Sequence, residues 1–297
     1  MLVFHPPPRF VAKAMSQSAV ERLIDSLSPK MQRALRKAIQ TARGRIDVEA
    51  LARAVEQGRV SRAVLQVNVD RFTGTDLAEA AKVINEAFVS GVVLGETQIK
   101  GAYRFDVTNP KALDAAERQA ATLLTAVNEE TKQTVRTLIG RAYREGNTAQ
   151  ETARMIRGVV GLNDRQATAL TNYRAGLLEE GIAPDRLEVL ADRYSARLLR
   201  QRAEMISRAE IHRASSEGQH ELWREGVRNG YINPTRARRT WNTNQGACSW
   251  CLGVADANAD GVPIDGLFVT PDGATISGTA DSHVNCRCSE TLAFGEE

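Results

Sequence analysis

Helix boundaries recur through the first 240 residues of this 297-residue chain, and they constrain its fold more than any other feature. Residues 28–44, SPKMQRALRKAIQTARG, illustrate them: Ser28 suits the N-cap, Pro29 suits the first helical position, and Gly44 suits the end. Apolar residues between these signals keep helical spacing. The same pattern predicts helices over residues 28–44, 45–58, 75–91, 108–124, 129–146, 148–161, 163–181 and 185–229.

The sequence changes character near residue 240. Residues 193–240 contain eleven arginines and five glutamates. Residues 241–297 contain one basic residue, Arg287, and eight acidic residues. Short strand patterns between turns appear over residues 238–243, 266–271 and 274–278. We therefore expect a mainly α fold, an elongated helical body followed by a small C-terminal α+β domain.

All four cysteines of the chain fall in its last fifty residues. A Cys-x-x-Cys pair is followed, after thirty-one intervening residues, by a His-x-x-Cys pair, the spacing by which two short arms close on one tetrahedral ion. The five candidate ligands are Cys248, Cys251, His283, Cys286 and Cys288. They predict one structural Zn²⁺ per chain that staples the tail, with His283 and Cys288 competing for the fourth position.

The alternatives are that these cysteines are free or redox-active thiols, or that they form two disulfides. Disulfides are disfavoured in a chain made in the cytosol, which is what we expect here. A catalytic zinc is disfavoured because a fifth soft ligand indicates a closed site. The stretch DANADG, residues 256–261, resembles the start of a calcium loop. However, Leu267 stands where a bidentate glutamate belongs, so we interpret the stretch as a turn.

Several motifs occur in a fixed order along the second half of the chain. They are the triplet Arg208-Ala209-Glu210, a small-residue helix ending at Trp223 and Gly226, then Trp241, Cys248-x-x-Cys251, and finally HVNCRC at residues 283–288. In this order they resemble the phage Mu F-like minor head proteins, also called phage head morphogenesis proteins. The resemblance covers roughly residues 103–293, and Val284 replaces the proline usual in the last motif.

The resemblance implies a non-enzymatic structural protein of a tailed-phage head, located in the virion and in the host cytoplasm during assembly. Its implied partners are the portal protein, the major capsid or scaffold protein, and packaged double-stranded DNA. It divides the chain into an N-terminal helical region (1–100), a helical head-morphogenesis core (101–240) and a Cys/His tail (241–297). No apolar run reaches the roughly 20 residues of a membrane span, and we expect a soluble protein without a membrane partner.

The triplet residues Arg208 and Glu210 point to different sides of a helix, so we expect each to form a buried structural ion pair with another element. An alternative function is a nuclease or toxin-like enzyme in which Glu210, His212 or His220 acts as the general acid or base. For the two histidines we favour surface or capping positions over catalysis.

The basic segment before residue 240 gives the third hypothesis, contact with DNA phosphates. Arg236, Arg238 and Arg239 are the candidate contacts, because they follow Gly230 and Pro234 outside the long helix. A solvated helix that pairs with acidic partners, or with the chain's own acidic tail, would explain the same charge.

Overall fold

The computed structural model describes residues 17–59, 74–99, 104–105, 110–244, 246–283 and 285–295. Within these ranges the chain is mainly α-helical. The helices are α1 (Gln17–Gly44), α2 (Val48–Glu56), α3 (Gly74–Gln98), α4 (Pro110–Glu145), α5 (Ala149–Val159), α6 (Asp164–Glu179), α7 (Pro184–Arg228) and α8 (Ser249–Ala257). None of these described helices is long and apolar enough to cross a membrane.

The chain forms two compact units that are interleaved in sequence. One unit, called the C-terminal unit below, comprises residues 1–29, 82–119 and 207–297, and the other comprises residues 30–81 and 120–206. The C-terminal unit thus extends across the composition boundary at residue 240 and takes in about half of α7, from Ser207 onward. The sequence analysis instead divides the chain into three consecutive segments, with boundaries at residues 100 and 240. That division stays a prediction.

Capping boxes begin two helices where the sequence predicts them. At α5, Thr148 accepts from the Glu151 amide while Glu151 accepts from the Thr148 amide; at α6, Asn163 and Gln166 make the same exchange. Gly146 and Gly181 follow helix ends with φ of 70° and 72°, which glycine adopts without strain. The predicted helix over 185–229 is a single helix, α7.

Helix α1 corrects one predicted boundary, because Pro29 lies inside the helix and does not begin it. Proline removes one hydrogen bond from a helix interior. Buried apolar side chains nevertheless continue at helical spacing across it, with Ile24 and Leu27 before the proline and Met31 after it. Their burial outweighs the missing bond.

Two further boundaries differ from the sequence prediction. Helix α3 continues past Gly91 to Gln98, and the two helices expected over 108–124 and 129–146 are one helix, α4. Gly91 lies inside α3, at a point where the backbones of α3 and α7 approach each other closely. A Cβ there would lie 2.0 Å from the Ser215 carbonyl oxygen, and one at Gly218 would lie 2.2 Å from the Phe88 carbonyl oxygen. Helices α3 and α7 therefore pack backbone to backbone at two glycines.

The second unit has its own apolar core. Helices α2 and α5 pack together, and the buried side chains include Leu51, Ile139 and Ile156. Arg43 donates to the carbonyl oxygens of Gly158 and Val160 at the end of α5, both at 2.9 Å. This cation satisfies carbonyl groups that a helix terminus leaves unpaired.

The C-terminal region contains two small antiparallel sheets. Strand β1 (Ala237–Asn242) pairs with β4 (Ser289–Phe294), and β2 (Phe268–Val269) pairs with β3 (Thr275–Ile276). A short 3₁₀ helix covers Thr279–Asp281. The pairing of β1 with β4 brings the residues just before β4 to one side of α8, where the cysteines lie.

Candidate metal centre

Two segments carry the five predicted ligands. Cys248 is the N-cap residue of α8 and Cys251 lies in its first turn, so the first pair sits on a helix start and not on the tight knuckle that the spacing suggested. The other three residues precede β4 in a turn where Asn285 has a φ of 63°, a conformation that asparagine tolerates well. In this turn the Cys286 amide donates to the His283 carbonyl oxygen at 3.2 Å.

The five side chains form two overlapping triads that share one thiol. The donor atoms of Cys248, Cys251 and His283 lie within 4.8 Å of one another, and so do those of Cys251, Cys286 and Cys288. His283 Nε2 lies 3.4 Å from Cys248 Sγ and 3.1 Å from Cys251 Sγ. Cys251 Sγ and Cys286 Sγ are 3.8 Å apart. The fold thus brings together all five residues that the sequence singled out.

These distances match the edges of a tetrahedral zinc site. Zn–S bonds of about 2.3 Å and Zn–N bonds of about 2.0 Å imply S···S edges of about 3.8 Å and S···N edges of about 3.5 Å. The Cys251–Cys286 and Cys248–His283 edges agree with these values, and the Cys251–His283 edge is slightly shorter. The cluster could therefore hold a metal ion.

The thiols are free and none is in a disulfide. A sulfur–sulfur bond is about 2.05 Å long, so the sulfurs of Cys251 and Cys286, at 3.8 Å, are not bonded. A set of thiolates with one imidazole favours zinc over the hard cations, which prefer oxygen ligands. The donor set and its spacing agree on the same class of ion.

Buried thiols in this cluster cannot all ionise by themselves. Desolvation raises the pKa of Cys251 to about 12, and donation to Cys286 raises the pKa of Cys288. The same hydrogen bond from Cys288 lowers the pKa of Cys286 to about 5. One thiolate therefore forms readily, and further thiolates need a cation to offset their mutual repulsion.

An aromatic cluster packs beside the thiols. Trp241, Val254 and Phe268 are buried with the cysteines in one apolar cluster. The rings of Trp241 and Phe268 meet edge to face at 5.3 Å, and the ring of Trp250 contacts that of His283 at 5.8 Å in the same manner. These contacts fix the orientation of the imidazole.

A buried charge network surrounds Glu290 of β4. Glu290 Oε2 accepts from Arg239 Nη1 at 2.6 Å and lies 2.9 Å from His220 Nε2. Its Oε1 accepts from the amide and hydroxyl of Thr279 at 2.8 and 3.2 Å. An ionised carboxylate only accepts, so His220 carries its proton on Nε2. All four acceptor positions of Glu290 are thereby occupied.

This network was not predicted, because its three ionisable members are far apart in sequence. Burial by itself would raise the pKa of Glu290, but the charge and hydrogen bond of His220 and the charge of Arg239 lower it to about 2. The only sequence signal is the alternation of β4, SETLAF, in which a glutamate lies between residues with strand propensity.

The triplet residues have separate partners. Arg208 lies 3.9 Å from Asp25 of α1, and neither side chain is buried. Glu210 is buried, but its ion pair at 2.9 Å is with Arg213 on the same helix, and Gln119 of α4 donates to it at 3.0 Å. Glu210 therefore bridges two helices through an amide, and Arg208 makes a longer, solvent-screened pair.

The two histidines are buried and not on the surface as expected. His212 is 4% exposed, and burial lowers its pKa, which favours the neutral form. His220 belongs to the Glu290 network. Of the three candidate DNA contacts, the prediction for Arg239 is wrong, because its side chain is 2% exposed and binds groups within the chain. Arg236 and Arg238 are half-buried and donate to backbone carbonyl groups.

In the calcium-like stretch DANADG, the side chain of Asn258 forms hydrogen bonds within the fold. Its amide donates to the Val269 carbonyl oxygen at 2.8 Å and its oxygen accepts from the Val269 amide at 3.0 Å. A side chain turned inward to pair with β2 cannot ligate an ion in the loop. Residues 256 and 257 end α8, and the residues after them form the turn that the sequence favoured.

No family model matches the chain, and neither a curated protein nor a solved structure matches it.

Proposed function

We propose that this chain is a non-enzymatic structural protein whose C-terminal unit is stapled by one Zn²⁺, and that it acts in the assembly of a tailed-phage head. The observation that supports the first part is the convergence of three thiols and an imidazole, of which three pairs lie near tetrahedral edge lengths. The second part is supported by the ordered motifs in the sequence.

Cys248, Cys251, His283 and Cys286 are the proposed ligands, and Cys288 is the donor to Cys286. This assignment follows the three close pairs, which link these four residues in a chain of contacts. Zinc bound there would join the start of α8 to the segment before β4. Such a staple stabilises a small region with few apolar residues of its own.

The motif residues that carry the phage resemblance have structural roles within the C-terminal unit. Trp223 is fully buried, and a Cβ at Gly226 would lie 2.6 Å from the Ile232 side chain. Trp241 packs on Phe268 beside the thiols. A motif set of packing residues and metal ligands favours a structural protein over an enzyme.

The nuclease alternative is less well supported. The polar atoms of His220 and Glu290 contact each other and Arg239, and burial lowers the pKa of His212, which favours its neutral form. Incubation of the purified protein with plasmid DNA and divalent metal tests it. Cleavage that is abolished in His220→Asn would favour the enzyme.

Metal content tests the staple. Protein purified without chelator should contain close to one zinc per chain by atomic emission, and Cys251→Ser should reduce this to near zero. Cys288→Ser should retain one zinc, whereas His283→Asn should not; the reverse pattern would assign Cys288 as the fourth ligand. Four titratable thiols and no zinc in the wild type would refute the staple.

A complementation assay tests the role in assembly. Cys251→Ser in place of the wild type should give malformed or poorly infectious heads while major capsid protein is synthesised normally. Cys288→Ser is the matched control and should support normal heads. Normal heads from a Cys251→Ser protein shown to lack zinc would contradict the structural role of the staple.

A further inference from the structure

One carboxylate near the start of α1 contacts both of the segments that carry the proposed zinc ligands. Glu21 lies in the part of that helix, residues 17–29, that belongs to the C-terminal unit. Its Oε1 accepts from Asn244 Nδ2 at 2.8 Å and lies 3.5 Å from Arg287 Nη1. These contacts join residues that are 223 and 266 positions apart in sequence.

Asn244 lies at the start of the segment that leads to the first ligand pair. Its carbonyl oxygen accepts from the Ala247 amide at 2.9 Å, and Cys248 follows directly as the N-cap residue of α8. The Asn244 backbone amide also donates to the sulfur of Cys288. Cys288 in turn donates to Cys286, which is a proposed ligand. The position of Asn244 therefore affects both ligand segments.

Arg287 connects the second ligand segment to the same carboxylate. It stands between Cys286 and Cys288 in the sequence, and its side chain is half-exposed. An ion pair at 3.5 Å with this exposure contributes little to stability by itself. Its effect here is positional, because it joins residues 286–288 to the carboxylate that already holds Asn244.

The helix that carries Glu21 is itself anchored. Val20, Ile24 and Leu27 follow one another at helical spacing on α1, and all three are buried. This apolar stripe fixes the backbone beside Glu21, so its carboxylate offers a defined point of attachment. Groups outside the ligand shell that orient metal ligands are a regular part of metal sites.

We propose that Glu21 is a positioning residue of the metal centre. Through Asn244 and Arg287 it holds the two ligand segments side by side, where one Zn²⁺ can join them. The inference rests on the proposed zinc staple and deepens it, because it makes the first turns of α1 part of the site. Glu21 is not among the residues whose donor atoms cluster there, so it acts through its neighbours.

The size of the effect follows from this indirect route. Loss of an outer-shell group typically weakens metal binding by about 10–100-fold, and Glu21 is one contact further out than Asn244, so we expect about ten-fold for Glu21→Ala. Glu21→Gln keeps an oxygen that accepts from Asn244 and loses only the charge that faces Arg287. Because that pair is half-exposed, Glu21→Gln should stay within about three-fold of the wild type.

The experiment measures the zinc affinity of the full-length protein by competition with a chromophoric chelator. It is done at a temperature where tryptophan fluorescence shows that each variant is folded. Asp25→Ala is the matched control, since Asp25 lies one turn further along α1 and faces Arg208 of α7 at 3.9 Å. The control removes the same charge from the same helix and should leave the zinc affinity unchanged.

A further variant tests the route through Asn244. Asn244→Ala removes the side-chain contact with Glu21 and keeps the backbone amide that faces Cys288. It should weaken zinc binding about as much as Glu21→Ala does. The double variant should lose little more than either single variant, because the two side chains act as one contact.

The affinity also separates a positioning role from a merely structural one. A contact that only stabilises the fold lowers the unfolding free energy of the zinc-free and zinc-bound forms equally, and the zinc Kd then stays the same. A positioning contact makes the loss larger in the zinc-bound form, so the Kd rises.

Two results would overturn the inference and leave the staple in place. One is a zinc affinity of Glu21→Ala that equals that of the wild type. The other is equal weakening by Asp25→Ala, which would indicate a general effect of lost negative charge. A wild-type protein that binds no zinc would refute the staple, and this inference with it.

Discussion

Replacing Glu290 with glutamine should destabilise the C-terminal unit strongly. The substitution keeps the shape of the side chain but removes its charge and turns one acceptor into a donor. That donor then faces Arg239 Nη1, which lies 2.6 Å from Oε2 in the wild type. The guanidinium, 3% exposed, loses its carboxylate and cannot be hydrated in its place.

Two independent arguments give the size of the effect. The pKa of Glu290 is lowered from 4.5 to about 2, and each pKa unit corresponds to about 1.4 kcal/mol, so its ionised form contributes about 3 kcal/mol. The side chain is 1% exposed, so solvent screening does not reduce this figure much. Breaking a buried ion pair by removing one partner costs about 3–5 kcal/mol in general. We expect a loss of about 3–4 kcal/mol.

Urea unfolding followed by tryptophan fluorescence measures this loss. All three tryptophans, Trp223, Trp241 and Trp250, lie in the C-terminal unit, so the signal reports that unit. Asp265→Asn is the matched control: it removes a carboxylate from Arg224 at a 77% exposed position and should cost less than about 1 kcal/mol. Equal effects of Glu290→Gln and the control would refute the reasoning.

The pH dependence gives a second check on the same residue. Because the folded pKa of Glu290 lies below its unfolded value, the stabilisation is fully present above pH 4.5 and is lost as pH falls toward 2. The difference in unfolding free energy between wild type and Glu290→Gln should therefore shrink across this window. A difference that stays constant from pH 6 to pH 3 would mean that the carboxylate charge is not its source.

Two other predictions concern packing and charge. Gly218→Ala should cost about 1–3 kcal/mol or more, because its Cβ would lie 2.2 Å from the Phe88 carbonyl oxygen. Gly140→Ala, with nothing within 4 Å of the added Cβ, should stabilise by about 0.5–1 kcal/mol. Thermal unfolding followed by circular dichroism measures both glycine variants. If DNA is bound, Arg236→Gln with Arg238→Gln should flatten the log–log salt slope in fluorescence anisotropy by at most about 1.8, which is about 0.9 for each phosphate that is no longer neutralised. An unchanged slope would exclude both arginines as DNA ligands.

The sequence predicted local structure well where the signal is local. Helix starts at Thr148 and Asn163 depend on side chains three residues apart, and the structure confirms both. The predicted helix boundaries at Pro29 and Gly91 were wrong because both used the local sequence alone. Each residue breaks isolated helices, but burial on both sides of Pro29 and the contact of Gly91 with α7 decide the outcome.

The candidate metal site was predictable because thiols are rare and their spacing is short. The helical geometry of Cys248 and Cys251 was not predicted, since α8 is only nine residues long and its sequence has few helix signals. Strand β4 was missed as well, because its buried face includes a glutamate. Only the fold shows that Arg239 and His220 compensate this charge.

The C-terminal residues depend on chain that precedes residue 240, and this determines how their function can be tested. The thiols at 286 and 288 lie just before strand β4, and within the strand Glu290 is bound to His220 and Arg239. Deletion of residues 241–297 would remove the proposed zinc ligands, and it would also remove the carboxylate that Arg239 and His220 share, the end of β1 and its partner strand. A defect in the deleted protein would then report misfolding of α7 and β1 as much as loss of the metal. Point variants separate the two effects: Cys251→Ser removes a proposed metal ligand and keeps the residues of the charge network, whereas Glu290→Gln does the opposite. If the staple is what head assembly requires, zinc-depleted Cys251→Ser should fail in complementation even at a temperature where its helices remain folded by circular dichroism.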